Sequence, residues 1–87
     1  MADVPYRLVF TESFIKDFRK LSKLNQKRVR KRLEILKEYP YLGKKLENTQ
    51  VGQYRLRVGD IRVRYDILEK NVVLLRVLKR EDAYRRF

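Results

Sequence analysis

Between Gln53 and Ile67, apolar and basic residues alternate with period two, stop at Gly59-Asp60 and resume on the far side, which is the pattern of a β-hairpin. With Gly59 and Asp60 as the two turn residues, Val58 faces Ile61, Arg57 faces Arg62, Leu56 faces Val63, Arg55 faces Arg64 and Tyr54 faces Tyr65. Successive side chains of a strand point to opposite faces. Tyr54, Leu56, Val58, Ile61, Val63 and Tyr65 therefore share one face, and Arg55, Arg57, Arg62 and Arg64 share the other. Upstream, Val4, Tyr6, Leu8 and Phe10 alternate along 4–11 and predict a first strand, with Pro5 near its start where an edge strand tolerates a missing donor.

Phe14, Phe18 and Leu21, widened by Ile15, recur at helical spacing. Thr11 is placed to cap this helix from Glu12, because its side-chain oxygen can accept an unpaired N–H of the first turn; the helix is expected to end between Leu21 and Leu24. Asn25 is the expected cap of a second helix with the stripe Val29, Leu33 and Leu36. Tyr39-Pro40 stops it after Glu38, since the residue before a proline avoids the helical region. Two helices joined so closely form an antiparallel hairpin whose joint apolar face needs a sheet. Periodicity vanishes from Tyr41 to Gly52, a loop with turns at Gly43, Asn48 and Gly52; it carries Leu42, Leu46 and Val51, so parts of it are expected to pack down.

Val72 to Leu78 is a near-continuous apolar run interrupted by Arg76, which reads as a well-covered strand. A three-residue connection, Glu69-Lys70-Asn71, pairs Tyr65 with Leu75 and Arg64 with Arg76. It buries Val73, Leu75 and Val77, and leaves Leu78 partly exposed beside Arg76 and Arg80. A two-residue connection reverses these faces, and the longer one is expected because it buries Val and Leu rather than Arg. Glu81 to Phe87 reads as a short tail, one helical turn that brings Tyr84 over the sheet. The expected fold is α+β in the order β-α-α-β-β-β: an N-terminal strand, a two-helix antiparallel hairpin, a three-stranded antiparallel meander and a short C-terminal tail, in one domain over residues 1–87.

Charge turns this fold into a candidate binding surface. Of 87 residues, Lys+Arg number 23 and Asp+Glu 11, for a formal net charge of +12, which points to nucleic acid, an anionic membrane surface or an acidic protein partner. No apolar run is long enough to cross a bilayer and the N-terminus lacks the apolar segment of a signal peptide, so a soluble cytoplasmic protein is expected. Cys and His are both absent, which removes disulfides, thiolate ligands and the usual imidazole ligand or base. No Asp/Glu cluster stands at ligand spacing, so no metal and no cofactor is expected.

Like charges directly opposite one another destabilise a strand pair, so two stacked Arg pairs call for an anion above them. Arg55, Arg57, Arg62, Arg64, Arg76 and Arg80 form a candidate phosphate-binding face, because guanidinium donates paired N–H bonds to phosphate and keeps its charge at any working pH. Lys27 to Arg32 on the second helix reads either as a solvated basic face or as a contact with rRNA or an acidic partner. Tyr84, four residues after Arg80 and followed by Arg85-Arg86, reads as a base-stacking ring, a proton-transfer group or an ordinary exposed tyrosine.

Two stretches carry a family resemblance. Tyr54-Arg55-Leu56-Arg57-Val58-Gly59-Asp60-Ile61-Arg62-Val63-Arg64-Tyr65 fits the basic hairpin Y-R-x-R-x-G-x-x-R-x-x-Y, and Lys79-Arg80-Glu81-Asp82-Ala83-Tyr84 fits the terminal signature H/K-R-x-x-x-Y. With the order of elements, the chain resembles the RelE/ParE superfamily of toxins from type II toxin-antitoxin systems, and within it the RelE-like mRNA interferases. That resemblance implies a ribosome-dependent, metal-free endoribonuclease that drives an mRNA 2'-hydroxyl onto the adjacent phosphate in the decoding site and so inhibits translation. Carried over by resemblance, Arg62 and Arg80 steady the phosphorane and the leaving oxygen, Arg55 and Arg57 occupy positions that lysines often fill, and Tyr84 matches the terminal tyrosine. Arg64, Arg76, Lys79 and Arg85 are the further RNA contacts expected.

Arginine is a poor proton acceptor, which leaves Tyr84, Lys79 and the Glu81 carboxylate as candidates for the general base. The partners implied are mRNA, the ribosome with its rRNA, and an acidic RelB-like antitoxin. That antitoxin would cover the arginine face, fold on binding into a hetero-oligomer, and add a strand to an open sheet edge. The alternatives are a ParE-like inhibitor of DNA gyrase, a non-catalytic basic RNA-binding module, and a toxin whose activity has decayed.

Overall fold

The structure, a computed structural model, describes residues 5–47 and 52–79. Their elements are β1 (Arg7–Phe10), α1 (Glu12–Arg19), α2 (Lys23–Glu38), β2 (Lys44–Lys45), β3 (Tyr54–Val58), β4 (Ile61–Leu68) and β5 (Asn71–Lys79). The strands form one mixed sheet in the order β1-β5-β4-β3-β2. The β3-β4 hairpin has the five pairs read from the alternation, Val58 with Ile61 through Tyr54 with Tyr65, and Gly59 supplies the left-handed turn residue at φ 62°. Two features go beyond the expected order. β1 runs parallel to β5 as an edge strand beside the meander, and the loop after α2 contributes the short strand β2 against β3.

The helices begin where a side chain can accept a free backbone N–H. Thr11 Oγ1 accepts from the Phe14 N–H at 3.2 Å, the expected cap. For the second helix the cap is Ser22 rather than Asn25: Ser22 Oγ accepts the Asn25 N–H at 3.1 Å. α1 accordingly stops at Arg19, before the expected Leu21, because Leu21 turns back to bury itself ahead of the new cap. Phe14 and Leu21 join Val29, Leu33 and Leu36 of α2 in covering Leu56, Val58, Ile61, Val63, Tyr65, Val72, Leu74 and Val77. All of this core lies on one side of the sheet, and burial of such side chains stabilises the fold by roughly 1.5–3 kcal/mol each before entropy is counted.

The turn into β5 has two residues, not three. Leu68 pairs with Asn71 and Tyr65 with Leu74, and the register then slips so that Arg64 pairs with Arg76 and Val63 with Val77. Leu75 is the extra residue of a β-bulge. The shorter turn reverses the expected faces at the start of β5, so that Val72 and Leu74, not Val73 and Leu75, are buried in the core, and the bulge then returns Val77 to the core as expected. Leu78, expected to be partly exposed, is also buried.

Candidate nucleic-acid interface

On the side of the sheet away from the helices, the hairpin register stacks Arg55 against Arg64 and Arg57 against Arg62. Lys44 of β2 pairs with Arg55 and Arg76 of β5 with Arg64. Lys44, Arg55, Arg64 and Arg76 therefore form a row across four strands at the inter-strand spacing of about 4.8 Å. Arg57 and Arg62 form a second, shorter row that ends on Leu78.

The arginine face is not the bare surface that alternation alone implies. Arg62 and Arg64 are each only 5% exposed, whereas Arg55 is half-buried and Arg57 exposed. Part of the cover is the segment entering β3. The Gly52 carbonyl accepts from Arg64 Nη2 at 3.1 Å, and the Gln53 N–H donates to Asp66 Oδ1 at 2.6 Å. Gly52 can lie there because it has no side chain: a Cβ would stand 3.1 and 3.2 Å from the Tyr65 O and N, at a φ of 68°. Burial and then the neighbouring Arg55 charge lower the pKa of Arg64, with Asp66 pulling the other way. It stays charged at any physiological pH.

Arg62 has a different environment. Its Nη1, like the Nε of Arg55 and of Arg32 in α2, is buried without a hydrogen-bond acceptor among the described residues. Buried polar groups are almost always paired, and an exception calls for a reason.

Arg76 does not present a free cation. Its Nε and Nη2 donate to Asp17 Oδ2 and Oδ1 at 2.6 and 3.2 Å, a two-point contact that raises the arginine's pKa. Asp17, in α1, is itself 5% exposed. Sequence reasoning missed it, although a signal was present: Asp17 sits between Phe14 and Phe18 on the otherwise apolar stripe of α1. Lys79 pairs with Ile61, which puts it on the side opposite Arg62, exposed at the strand end and apart from the arginine rows. Arg80, Glu81, Tyr84 and Arg85 lie outside the described residues. Of the expected site, the fold thus brings together Arg55, Arg57, Arg62 and Arg64.

Behind the cations stands a tyrosine pillar. The Tyr65 and Tyr54 rings stack with centroids 5.3 Å apart, and Tyr41 meets Tyr54 edge-on at 5.9 Å. Tyr65 is fully buried; its Oη accepts from the Gly43 N–H and donates to the Pro40 carbonyl, each at 2.9 Å. Burial chiefly raises its pKa, partly offset by the Gly43 bond, with Tyr54 adding to the rise. Tyr65 therefore holds the end of α2 and the start of β2 onto the sheet that carries the arginines.

On the helix side, a groove of about 910 Å³ opens between β1 and the two helices. Tyr6, Leu8, Phe10, Phe14, Ile15 and Leu33 give it apolar walls. Its charged lining comprises Arg7, Arg19, Arg30 and Lys37 against one carboxylate, Glu34, already paired with Lys37 at 2.7 Å. No helix among the described residues is long and apolar enough to cross a membrane.

The family model of the ParE toxin of type II toxin-antitoxin system, parDE, matches residues 8–84. No curated protein sequence matches the chain. Among solved structures, the chain is similar to the RelBE2 toxin-antitoxin complex from Mycobacterium tuberculosis, with 32% identity, a TM-score of 0.80 and coverage of 88% of this chain and 100% of that one. It is similar to the archaeal RelE-RelB complex from Pyrococcus horikoshii, with 28% identity, a TM-score of 0.75 and coverage of 87% and 96%. The isolated E. coli RelE toxin matches with 26% identity, a TM-score of 0.73 and coverage of 93% and 97%. The family match spans nearly the whole chain and the solved relatives are toxins of the same strand and helix order, so the chain belongs to the RelE/ParE superfamily as a toxin of a RelBE-type toxin-antitoxin system.

Proposed function

We propose that this toxin is a ribosome-dependent endoribonuclease that cuts mRNA by attack of a ribose 2'-hydroxyl on the adjacent phosphate. The observation that carries the reading is the buried guanidinium of Arg62, unsatisfied at Nη1 among the described residues and flanked across the strand pair by Arg57. In the reaction the 2'-oxygen bonds to phosphorus and the P–O5' bond breaks, leaving a 2',3'-cyclic phosphate and a 5'-hydroxyl. The 2'-hydroxyl proton passes to a base, and the departing 5'-oxygen takes up a proton. Negative charge grows on the phosphoryl oxygens, and cations already fixed in place stabilise it without reorganising. Arg62 and Arg57 are the described residues proposed for that work, with Arg55 and Arg64 holding flanking phosphates. Arg80 is assigned to the leaving oxygen and Tyr84 or Glu81 to the base by family resemblance; Lys79, on the opposite side of the sheet from Arg62, is set aside.

None of the described arginines is a base at neutral pH, so free RNA is a poor substrate and the ribosome supplies the geometry of attack. The relatives that are complexes with RelB support an acidic antitoxin as partner of this chain. Its docking is assigned to two surfaces: the arginine face, by charge, and the groove between β1 and the helices, where apolar walls and surplus cations suit an acidic amphipathic segment.

The test is to compare cleavage of an mRNA on translating ribosomes with cleavage of the same mRNA free in solution. Cleavage on ribosomes alone is expected, and efficient cutting of both refutes the ribosome requirement. Arg80→Ala is expected to abolish cleavage and spare ribosome affinity; equal loss of both favours a non-catalytic RNA-binding module. The family model's ParE description favours a second reading, inhibition of DNA gyrase. A supercoiling assay run beside translation separates the two targets.

A further inference from the structure

α1 holds β5 on both sides of the bulge. Before it, the Thr11 N–H and Oγ1 both donate to the Leu74 carbonyl, at 3.2 and 2.8 Å. After it, one carboxylate of the same helix, Asp17, accepts from the Val77 N–H at 3.2 Å and from two nitrogens of Arg76 at 2.6 and 3.2 Å. Leu75, between these anchors, is the residue left out of the ladder with β4. Beyond Phe10, β1 no longer covers the edge of β5, so the Val77 N–H would face away from the sheet with nothing to accept it. Asp17 supplies that acceptor.

The bulge has an electrostatic consequence. By slipping the register it sets Arg76 opposite Arg64, whose other neighbour is Arg55. Three guanidinium groups in adjacent strands repel one another. Asp17 neutralises the last of them and occupies its Nε and Nη2. A charge-assisted two-point contact of this kind is among the strong hydrogen bonds.

We infer that Asp17 is a positioning residue of the RNA-gripping face: by holding Arg76 and the Val77 N–H it fixes the β5 bulge and ends the working row of cations at Arg64, so that Arg76 neutralises no RNA phosphate. The inference rests on the proposed RNA-binding role of that face, and deepens it by setting how many phosphates the face contacts. Arg76, which period-two reasoning groups with the RNA contacts, becomes part of the scaffold.

Salt dependence counts the phosphates. Each one neutralised on a single strand contributes about 0.7 to the slope of log affinity against log salt concentration. The experiment measures binding of the intact chain to a fluorescent uridine oligonucleotide about ten residues long between about 50 and 200 mM salt. Arg55→Gln is expected to lower the slope by about 0.7, and Arg76→Gln to leave it unchanged. Asp17→Asn keeps the shape and an acceptor for the Val77 N–H but releases the Arg76 charge, and is expected to steepen the slope by about 0.7. The double variant Asp17→Asn with Arg76→Gln then returns it to the original value. Loss of folded protein alone lowers the bound fraction without altering the slope, and thermal unfolding of each variant checks that it is folded. A fall of the slope in Arg76→Gln, or an unchanged slope in Asp17→Asn, overturns the inference while leaving the RNA-binding role of Arg55 standing. Failure of the unaltered chain to show salt-dependent binding instead counts against the RNA-gripping face itself.

Discussion

Replacing Arg62 by methionine should make this toxin more stable and less active at once. Arg62 is 5% exposed, faces Arg57 across the strand pair, and leaves Nη1 without an acceptor among the described residues. Removing the charge relieves a like-charge cross-strand pair, about 0.2–1 kcal/mol, and a buried unsatisfied donor, about 1–3 kcal/mol. Methionine keeps an unbranched apolar stem but is shorter than arginine, and the lost packing returns about 1 kcal/mol. The net expectation is a gain of about 1 kcal/mol, or a rise in Tm of about 4–8 °C for a domain of this size. The measurement is thermal and urea unfolding of both proteins without ligand, beside cleavage of mRNA on translating ribosomes, where loss of one preorganised donor is expected to cost about 10²–10³ in rate. Added RNA should raise the Tm of the unaltered chain more than that of the variant, by mass action on the folded state. A variant less stable than the parent by 1 kcal/mol or more, on the scale that a broken buried hydrogen bond costs, would show that Arg62 serves the fold and that no anion is missing from above it.

Tyr65→Phe removes the partner of both the Gly43 N–H and the Pro40 carbonyl, and urea unfolding should show a loss of about 2–3 kcal/mol; an effect below about 0.5 kcal/mol would mean that water replaces the hydroxyl. Burial holds the folded Tyr65 pKa above its ordinary 10.0, so its contribution is present below pH 10 and is lost as pH rises through the folded-state value; the parent's stability should therefore fall with rising pH in that range more steeply than that of Tyr65→Phe. Gly43→Ala would bring a Cβ within 2.5 Å of Tyr65 Oη and 2.8 Å of the Arg55 carbonyl, and a destabilisation of about 1–3 kcal/mol is expected by calorimetry. Glu69→Gly should act in the other direction, since Glu69 sits at φ 57° in the exposed turn before β5, and unfolding should show a gain of up to about 1 kcal/mol.

The sequence by itself determined the hairpin register, the two amphipathic helices and the shared face of Arg55, Arg57, Arg62 and Arg64. Each rests on local periodicity: a β-turn at Gly59 and a side-chain period of two leave no freedom in which residues face each other. Sequence reasoning places the second cap at Asn25, three residues too late, because Asn25 and Ser22 can both accept an N–H. The choice between them was decided by where Leu21 had to be buried.

Only the tertiary structure decided β5. Val72, Val73, Leu74 and Leu75 are apolar on both faces, so alternation carries no information there, and no glycine marks the bulge. The slip is selected by α1, whose Thr11 and Asp17 take hold of β5 on either side of Leu75 across more than 55 residues of chain, with sequence separations of 63 and 60 for the Leu74 and Val77 bonds. The fate of Arg76 follows from the same contact, because period two assigns a face but cannot say whether a carboxylate from another element will reach that face. Cover over Arg62 and Arg64 is likewise a long-range outcome: whether a charge on a strand is bare or buried depends on which other segments the fold lays across it.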